Sequence, residues 1–378
     1  MGDVPVESSV HGSLILHRLL TGYPKDKLAV IECGDHSSSV ERRIPKVGYH
    51  YLASPLRRLH RTRFSRHARG LSCLWACWRR DCARVLRAFR PEAILTVAHG
   101  PGWITAARLA LREGLPLHMI VHDDPNALET VSDAMRSTVA RWFASAYRQS
   151  ATRLCVSKPM AESFQRRYGV EGIVLMPSRA AKDSDLPTKT TASRASVVAY
   201  GGTINNPGYA SALVAMASVQ AERGGFLDLY GPIEATYLKQ FGLEGAHVRY
   251  RGLMRPTEFI KAVNESADIL YAPMSFAAED AQNMRVAFPS KLADYTRAGI
   301  PMLVRAPEYA AVVEWTRENG GCAELVTEES TSLLSAAMSR LDEAAHREVL
   351  ARRAARAGRA NFSADAAETR FFTALSQH

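Results

Sequence analysis

What most constrains the fold of this chain is a rhythm. Short apolar runs alternate with longer helical stretches, and the pattern occurs twice. In the first half the runs are Leu28–Glu32, Ala93–Val97, Leu117–Val121, Arg153–Val156 and Ile173–Met176. Helices are expected around Leu71–Phe89, Trp103–Glu113, Ala127–Tyr147 and Lys158–Tyr168. The rhythm restarts with Ser196–Tyr200, Phe226–Tyr230, His247–Tyr250, Asp268–Tyr271 and Met302–Val304, with helices over Tyr209–Glu222, Thr257–Ser266 and Ser290–Ala298. Alternation of this kind demands parallel sheets with helices on both faces.

Between the halves lies Ser178–Arg194, polar, aperiodic and proline-bearing, which reads as a linker. The expected division is a first α/β domain over 1–177, a linker over 178–194 and a second α/β domain over 195–355. A C-terminal helix of about 356–378 is expected to pack back on the first. A length of 378 residues and a composition 47% apolar and 23% charged suit two soluble domains. One irregularity stands at the start. Gly12-Ser13 leads into a helix, yet Met1–Val10 makes a poor first strand, so that strand is absent or the true start lies upstream.

Six cysteines, three of them spaced C-x3-C-x4-C in one expected helix, do not follow a usual zinc spacing. They read as reduced, packed thiols, and no metal is expected. The N-terminus lacks the pattern of a signal peptide, and no apolar run is long enough to span a bilayer. A cytoplasmic location is expected. The net charge is +10, and eleven arginines against one acid, Asp81, lie between Arg57 and Arg90. Such a patch suits an anionic partner.

Residues 268–304 carry the most information. After the strand DILY, a helix is expected to open at Pro289-Ser290, two residue types favoured at a helix start. Lys291 then sits in the first turn, where a cation opposes the helix dipole. That placement is reasonable if a phosphate binds there, held by backbone N–H groups and Lys291; the plain alternative is a surface lysine. The string FPSKLADYTRAGIPMLV resembles the donor-binding segment of retaining GT-B glycosyltransferases, the family 4-like group, through Ser290, Lys291, Leu292, Asp294, Tyr295, Gly299 and Pro301. The resemblance implies two Rossmann-like domains facing across a cleft. It also implies that the Asp294 carboxylate receives the ribose hydroxyls of the nucleotide. The first acid of that family's Glu-x7-Glu pair falls on Val286 here. The arginine and lysine that follow the first strand of its second domain are replaced by GGTINNPGYA.

The resemblance implies further roles. Gly201-Gly202 lets backbone approach the diphosphate. Arg251 and Leu253 flank the base, with Arg251 stacking on it, pairing with phosphate or simply solvated. Pro289, Ser290 and Leu292 complete the donor segment. In the first half, His99-Gly100 and His122-Asp123-Asp124 end expected strands, where ligands of open α/β sheets bind. His122 resembles the histidine that reaches the transferring sugar, and His99 and Gly100 fall on the acceptor side; otherwise His122 is a satisfied loop histidine and Asp124 a helix cap. Ser157 reads as a structural cap.

Leu71, Leu74, Trp75, Trp78, Cys82, Val85, Leu86 and Phe89 share one helical face, with arginines off it. The face reads as core against the sheet, or alternatively as contact with an anionic membrane surface at its inner leaflet. Nucleic acid is not an expected partner. The leading expectation is a retaining hexosyltransferase moving sugar from a nucleotide diphosphate sugar to a glycan or lipid-linked acceptor, without cofactor, in polysaccharide or cell-envelope synthesis. Two alternatives stand beside it: an epimerase of the same fold, and a degenerate GT-B scaffold.

Overall fold

A computed structural model describes residues 1–9, 11–125, 131–180, 184–189, 194–204 and 207–376, with the side chains of His11 and Arg61 excepted. Asn126, the first four residues of the helix expected from Ala127, part of the linker, and Asn205-Asn206 lie outside the described residues. The chain divides into two compact units. Unit 1 is Met1–Met176 with Val286–Phe288 and Ala366–His378; unit 2 is Pro177–Arg285 with Pro289–Asp365.

Unit 1 runs α1 (His11–Thr21), β1 (Ala29–Glu32), β2 (Gly48–Tyr51), α2 (Ser65–Ala76), α3 (Arg80–Phe89), β3 (Ile94–Val97), α4 (Gly102–Glu113), β4 (Leu117–Val121), α5 (Asp133–Gln149), β5 (Thr152–Cys155), α6 (Lys158–Tyr168) and β6 (Ile173–Val174). All its strands pair in parallel, as β1-β2 and as β3-β4-β5-β6. The poor first strand is reduced to a joint between these sheets. Gly2 bridges β1, its N–H donating to Ile31 O (3.1 Å) and its carbonyl accepting from Cys33 N–H (2.8 Å), while the Met1 nitrogen donates to Leu95 O of β3 (2.8 Å). Beside the joint is a cavity of about 730 Å³ lined by Val4, Leu16, Leu20, Val30, Phe89 and Phe372 among others.

The local rules are visible in α6. Ser157 Oγ accepts from Met160 N–H at 3.1 Å, a proline stands in the first turn, and Gly169 ends the helix in the left-handed region. Residues of α1, β1, β3, β4 and β5 share one core with Phe371, so the C-terminal segment is part of unit 1. Two expectations are corrected. Strand β2 escaped notice because its GYHY sequence is half exposed. The single helix expected over 71–89 is two, broken at Cys77–Arg79, and Leu71 and Trp78 are 53% and 72% exposed rather than in the core.

Unit 2 runs β7 (Val197–Gly201), α7 (Pro207–Glu222), β8 (Phe226–Tyr230), α8 (Ala235–Gln240), β9 (Val248–Gly252), α9 (Pro256–Ser266), β10 (Ile269–Pro273), α10 (Ala281–Met284), α11 (Lys291–Tyr295), β11 (Met302–Arg305), α12 (Ala311–Glu318), β12 (Glu324–Val326), α13 (Thr331–Arg340) and α14 (Ala344–Asn361), ahead of α15 (Ala364–Leu375). Six parallel strands lie in the order β12-β11-β10-β7-β8-β9. Every residue of β10 is buried, as befits a strand covered on both faces. The strand order reverses at β7 and β10, and a crevice must open at their carboxyl ends. The described part of the expected linker is not loose: Leu186 N–H donates to Arg297 O (2.9 Å) and Lys189 N–H to Gly299 O (2.8 Å).

Candidate functional site

In unit 2 the reversal point brings together the glycine pair after β7 and Lys291 after β10. Gly202 has φ +152°, a conformation that suits only glycine, and a Cβ there would lie 3.1 Å from Lys291 Nζ. The Lys291 ammonium stands over the Tyr200 ring, 3.9 Å from its centroid. Among the described residues it has no carboxylate partner, and burial lowers its pKa to about 7. A cation half removed from water and unpaired is costly, and a phosphate would relieve that cost.

The glycines contribute shape rather than donors. Gly201 N–H donates to Tyr295 Oη (2.8 Å) and Gly202 N–H to Tyr230 O (2.8 Å), so neither is free for a diphosphate in this arrangement. The turns after β7 and β8 are in close contact: a Cβ on Gly231 would lie 2.1 Å from Gly202 O. One on Gly201 would lie 2.6 Å from the Phe259 ring.

The donor segment is shorter than expected. Helix α11 has five residues, not the nine of 290–298, and Ser290 adopts helical angles without capping through its side chain. Its dipole is correspondingly small, which leaves Lys291 as the main positive group. Pro289 O accepts from Leu292 N–H (3.1 Å), and Leu292, fully buried, anchors the turn. Asp294, largely shielded, has a carboxylate oxygen 3.9 Å from Arg297 Nε. Sequence reasoning missed Arg179, which lies in the aperiodic linker. Its guanidinium donates to Ala293 O (3.2 Å), Thr296 Oγ1 (3.0 Å) and Asp185 (2.7 Å), tying α11 down from behind.

Arg251 is neither free nor simply solvated. Asp228, fully buried on β8, holds Arg249 Nε at 2.5 Å and Arg251 Nε at 3.1 Å. Arg251 keeps 39% of its side chain exposed, and Leu253 beyond it is 41% exposed. A guanidinium held by Nε can still offer its flat face and outer edge to a ligand.

In unit 1, His122 follows β4 and lies against the start of α1, where a Cβ on Gly12 would be 3.2 Å from its Nδ1. Burial is the main cause of a pKa near 4; Asp123 pulls it up and His99 pushes it down. His122 is therefore a neutral imidazole at ordinary pH, able to accept or donate one hydrogen bond. His99 is exposed after β3. Gly100 has φ +60° and packs on Asp3, whose carboxylate accepts from Gly102 N–H at the start of α4. Asp3 was not singled out in the sequence, since it lies in the segment that made a poor strand. Asp124, whose expected helix start lies outside the described residues, is fully buried and pairs with Arg167 at 2.8 Å. Val286, at the place of the missing acid, is buried in unit 1, its carbonyl accepting from Ser157 Oγ at 2.5 Å.

Residues 30–178 match the family model described as Glycosyltransferase Family 4. Solved structures share the fold along nearly the whole chain. HepE of Anabaena, in complex with UDP and glucose, aligns over 99% of this chain and 98% of its own, with a TM-score of 0.69 and 14% identity. Sucrose-phosphate synthase from Thermosynechococcus elongatus aligns over 98% and 94%, with a TM-score of 0.71 and 14% identity. The α,α-trehalose-phosphate synthase (UDP-forming) from Burkholderia vietnamiensis aligns over 98% and 95%, with a TM-score of 0.64 and 11% identity. A comparison with curated proteins finds no match. The chain thus has the GT-B fold of two Rossmann-like domains, as its donor-segment motif implied.

Proposed function

We propose that the chain is a glycosyltransferase that takes a hexose from a nucleoside diphosphate sugar. The observation that carries this reading is Lys291: an ammonium without a carboxylate partner among the described residues, beside the Gly202 turn at the reversal point of the unit 2 sheet. In the reaction the bond from the sugar's anomeric carbon to the β-phosphate oxygen breaks as the acceptor hydroxyl oxygen bonds that carbon, the hydroxyl proton passes to the departing diphosphate, and negative charge grows on the diphosphate in the transition state. Lys291 meets that charge, and its effect is strong because the site is partly removed from water. Asp294 receives ribose hydroxyls, and Arg251 and Leu253 border the base. His122, neutral, bonds a hydroxyl of the sugar, and the His99-Gly100 loop of unit 1 receives the acceptor.

The family 4 match and the resemblance of the donor segment support transfer with retention to a glycan or lipid-linked acceptor, a step of cell-envelope polysaccharide synthesis. Complexes of HepE with UDP and with UDP-glucose make uracil the first base to try. No cofactor is assigned a part in the chemistry. A second reading, a donor-binding protein without transfer, is favoured by Val286, where the family pattern has an acid. Calorimetric titration with UDP, GDP, ADP, TDP and CMP tests the first claim. Tight binding of one diphosphate is expected; binding of none overturns it. Turnover of the matching sugar nucleotide with added acceptor separates transfer from binding alone.

A further inference from the structure

Unit 1 has a place for a strand that its described residues fill only at one end. In unit 2, β7 lies between β10 and β8, and α7 follows it. In unit 1, β1 pairs with β2 and β3 with β4, but β1 and β3 do not pair with each other. Between their facing edges stand Met1 and Gly2. Gly2 pairs in parallel with Glu32, the last residue of β1, and the Met1 nitrogen donates to Leu95 O. The cavity of about 730 Å³ extends from them along Ala29 and Val30 to Leu28, and along Ile94 to Ala93.

The backbone of both edges is directed into this gap. Leu52 N–H donates to Glu32 O and Ala98 N–H to Ile120 O, so Glu32 turns to β2, and Ala98 with Thr96 to β4. Alternation then turns Ala29 and Ile31 of one edge, and Ala93 and Leu95 of the other, toward the gap. Gly2 uses Ile31 O and Cys33 N–H. The next groups along, Ile31 N–H with Ala29 O and Leu95 N–H with Ala93 O, stand at the spacing that a parallel strand needs. Side chains of three helices line the same space: Leu16 and Leu20 of α1, Val85, Leu86 and Phe89 of α3, and Phe372 of α15. An occupant among them must be apolar along its length.

The Met1 ammonium points the same way. Burial holds its pKa below that of an ordinary α-amine, against the pull of Cys33, Cys82 and Asp3. A charge removed from water there is costly. An amide N–H in its place would keep the bond to Leu95 O and carry no charge.

We infer that the slot between β1 and β3 is a binding site for an extended apolar strand of about four residues, joined to Met1 and parallel to its neighbours. A joined strand is favoured over a separate peptide by register. Met1 and Gly2 already hold the carboxyl end of the slot in parallel, so a strand running the same way arrives at Met1. Unit 1 then matches unit 2, with this strand in the place of β7. The inference is independent of the nucleotide site.

The test compares the full chain with two forms extended ahead of Met1, by Met-Ile-Val-Val-Ile and by Met-Ile-Pro-Val-Pro. Proline lacks the N–H that must reach Ala29 O. In the unextended chain, the Ile31 and Leu95 amides should exchange with deuterium at least about tenfold faster than those of Glu32 and Thr96. The first extension should slow Ile31 and Leu95 at least about tenfold and raise the melting midpoint by about 5 °C or more. The proline form should do neither. Ile31 and Leu95 already as slow as their neighbours in the unextended chain would show the slot to be closed, and would overturn the inference whether or not the extended forms fold. No slowing by the first extension, or equal effects of the two, also overturns it. Protection by free Ile-Val-Val-Ile peptide would make the occupant a separate chain, and an extension-dependent dimer would make it a second copy. Either result removes the joined strand.

Discussion

Apart from β6, which extends unit 1, the two units use one strand order and fill its first position differently. In unit 2 that position is β7, five residues paired on both sides and ending in Gly201-Gly202. In unit 1 it is a joint, Gly2 bonded to β1 and Met1 to β3, with a cavity beside it. Yet both units present loops at the carboxyl ends of their central strands, where open α/β sheets bind ligands. What a site of this kind needs from its first strand is the end and the turn, not the length. The difference should appear in tolerance at single positions: a Cβ on Gly231 meets backbone, whereas one on Gly2 meets only ordinary contacts.

The largest expected effect breaks the closed side. Gly231→Ala sets a Cβ against the Gly202 carbonyl at φ +140°, where neither backbone can yield cheaply. It should cost about 3 kcal/mol or more of stability in urea unfolding, comparable to a severe core mutation. A loss under about 1 kcal/mol would mean that the turns are less tightly stacked than described.

Lys291→Ala should come next, weakening nucleotide diphosphate binding about 10- to 100-fold while leaving the bare nucleoside nearly unchanged. Equal losses for both would remove the phosphate role. The pH dependence has a definite sign. With a free pKa of about 7, Lys291 must take up a proton on binding a diphosphate above that value. Affinity should therefore fall as pH rises from 7 to 9 and stay level just below 7. His122, near 4, contributes nothing in that range. The stability sign is the opposite. A lysine whose folded pKa is depressed weakens the fold below about pH 7, and the penalty fades as pH rises toward its unfolded value. Lys291→Met should thus gain about 1 kcal/mol in thermal melts at pH 6, a figure kept small because part of the side chain meets water, and less at pH 10.

Asp294→Asn should cost about tenfold in affinity for the ribonucleotide and almost nothing for the 2′,3′-dideoxy analogue, compared by calorimetry. The smallest effect sharpens the open side. Gly2→Ala places its Cβ 3.5 Å from Thr96 Oγ1, an ordinary contact. Its melting midpoint should stay within about 2 °C of wild type, about 0.5 kcal/mol. A large loss would show the joint to be as closed as the turn in unit 2.

Most of the fold could be read in the sequence because parallel strands buried on both faces leave uninterrupted apolar runs; β4 and β10 are such runs. Strand β2, half exposed, and β12, three residues long, left no such trace. The break between α2 and α3 has no glycine or proline to mark it. At the candidate site, Lys291 and Asp294 were legible because a run of fixed spacing surrounds them. What they and the glycines bond to was not. Tyr295 binds Gly201 from 94 positions away, and Asp228 reaches Arg251 across neighbouring strands. Pairings of that range depend on strand order, which a linear pattern does not carry.

Unit 1 is not one stretch of chain. It includes Val286–Phe288, with the Val286 carbonyl bonded to Ser157, and Ala366–His378, with Phe371 fully buried. Recombination between related genes at a single crossover near the linker would therefore move pieces of unit 1 along with a new second half. Such a hybrid would inherit a foreign residue against Ser157 and a foreign aromatic in the place of Phe371. Exchanging unit 2 as a block needs four seams, set before Pro177, on each side of Val286–Phe288 and ahead of Ala366. Point changes along the β9 and α11 turns meet no such seam and, on the proposed function, are the shorter route to a new nucleotide preference.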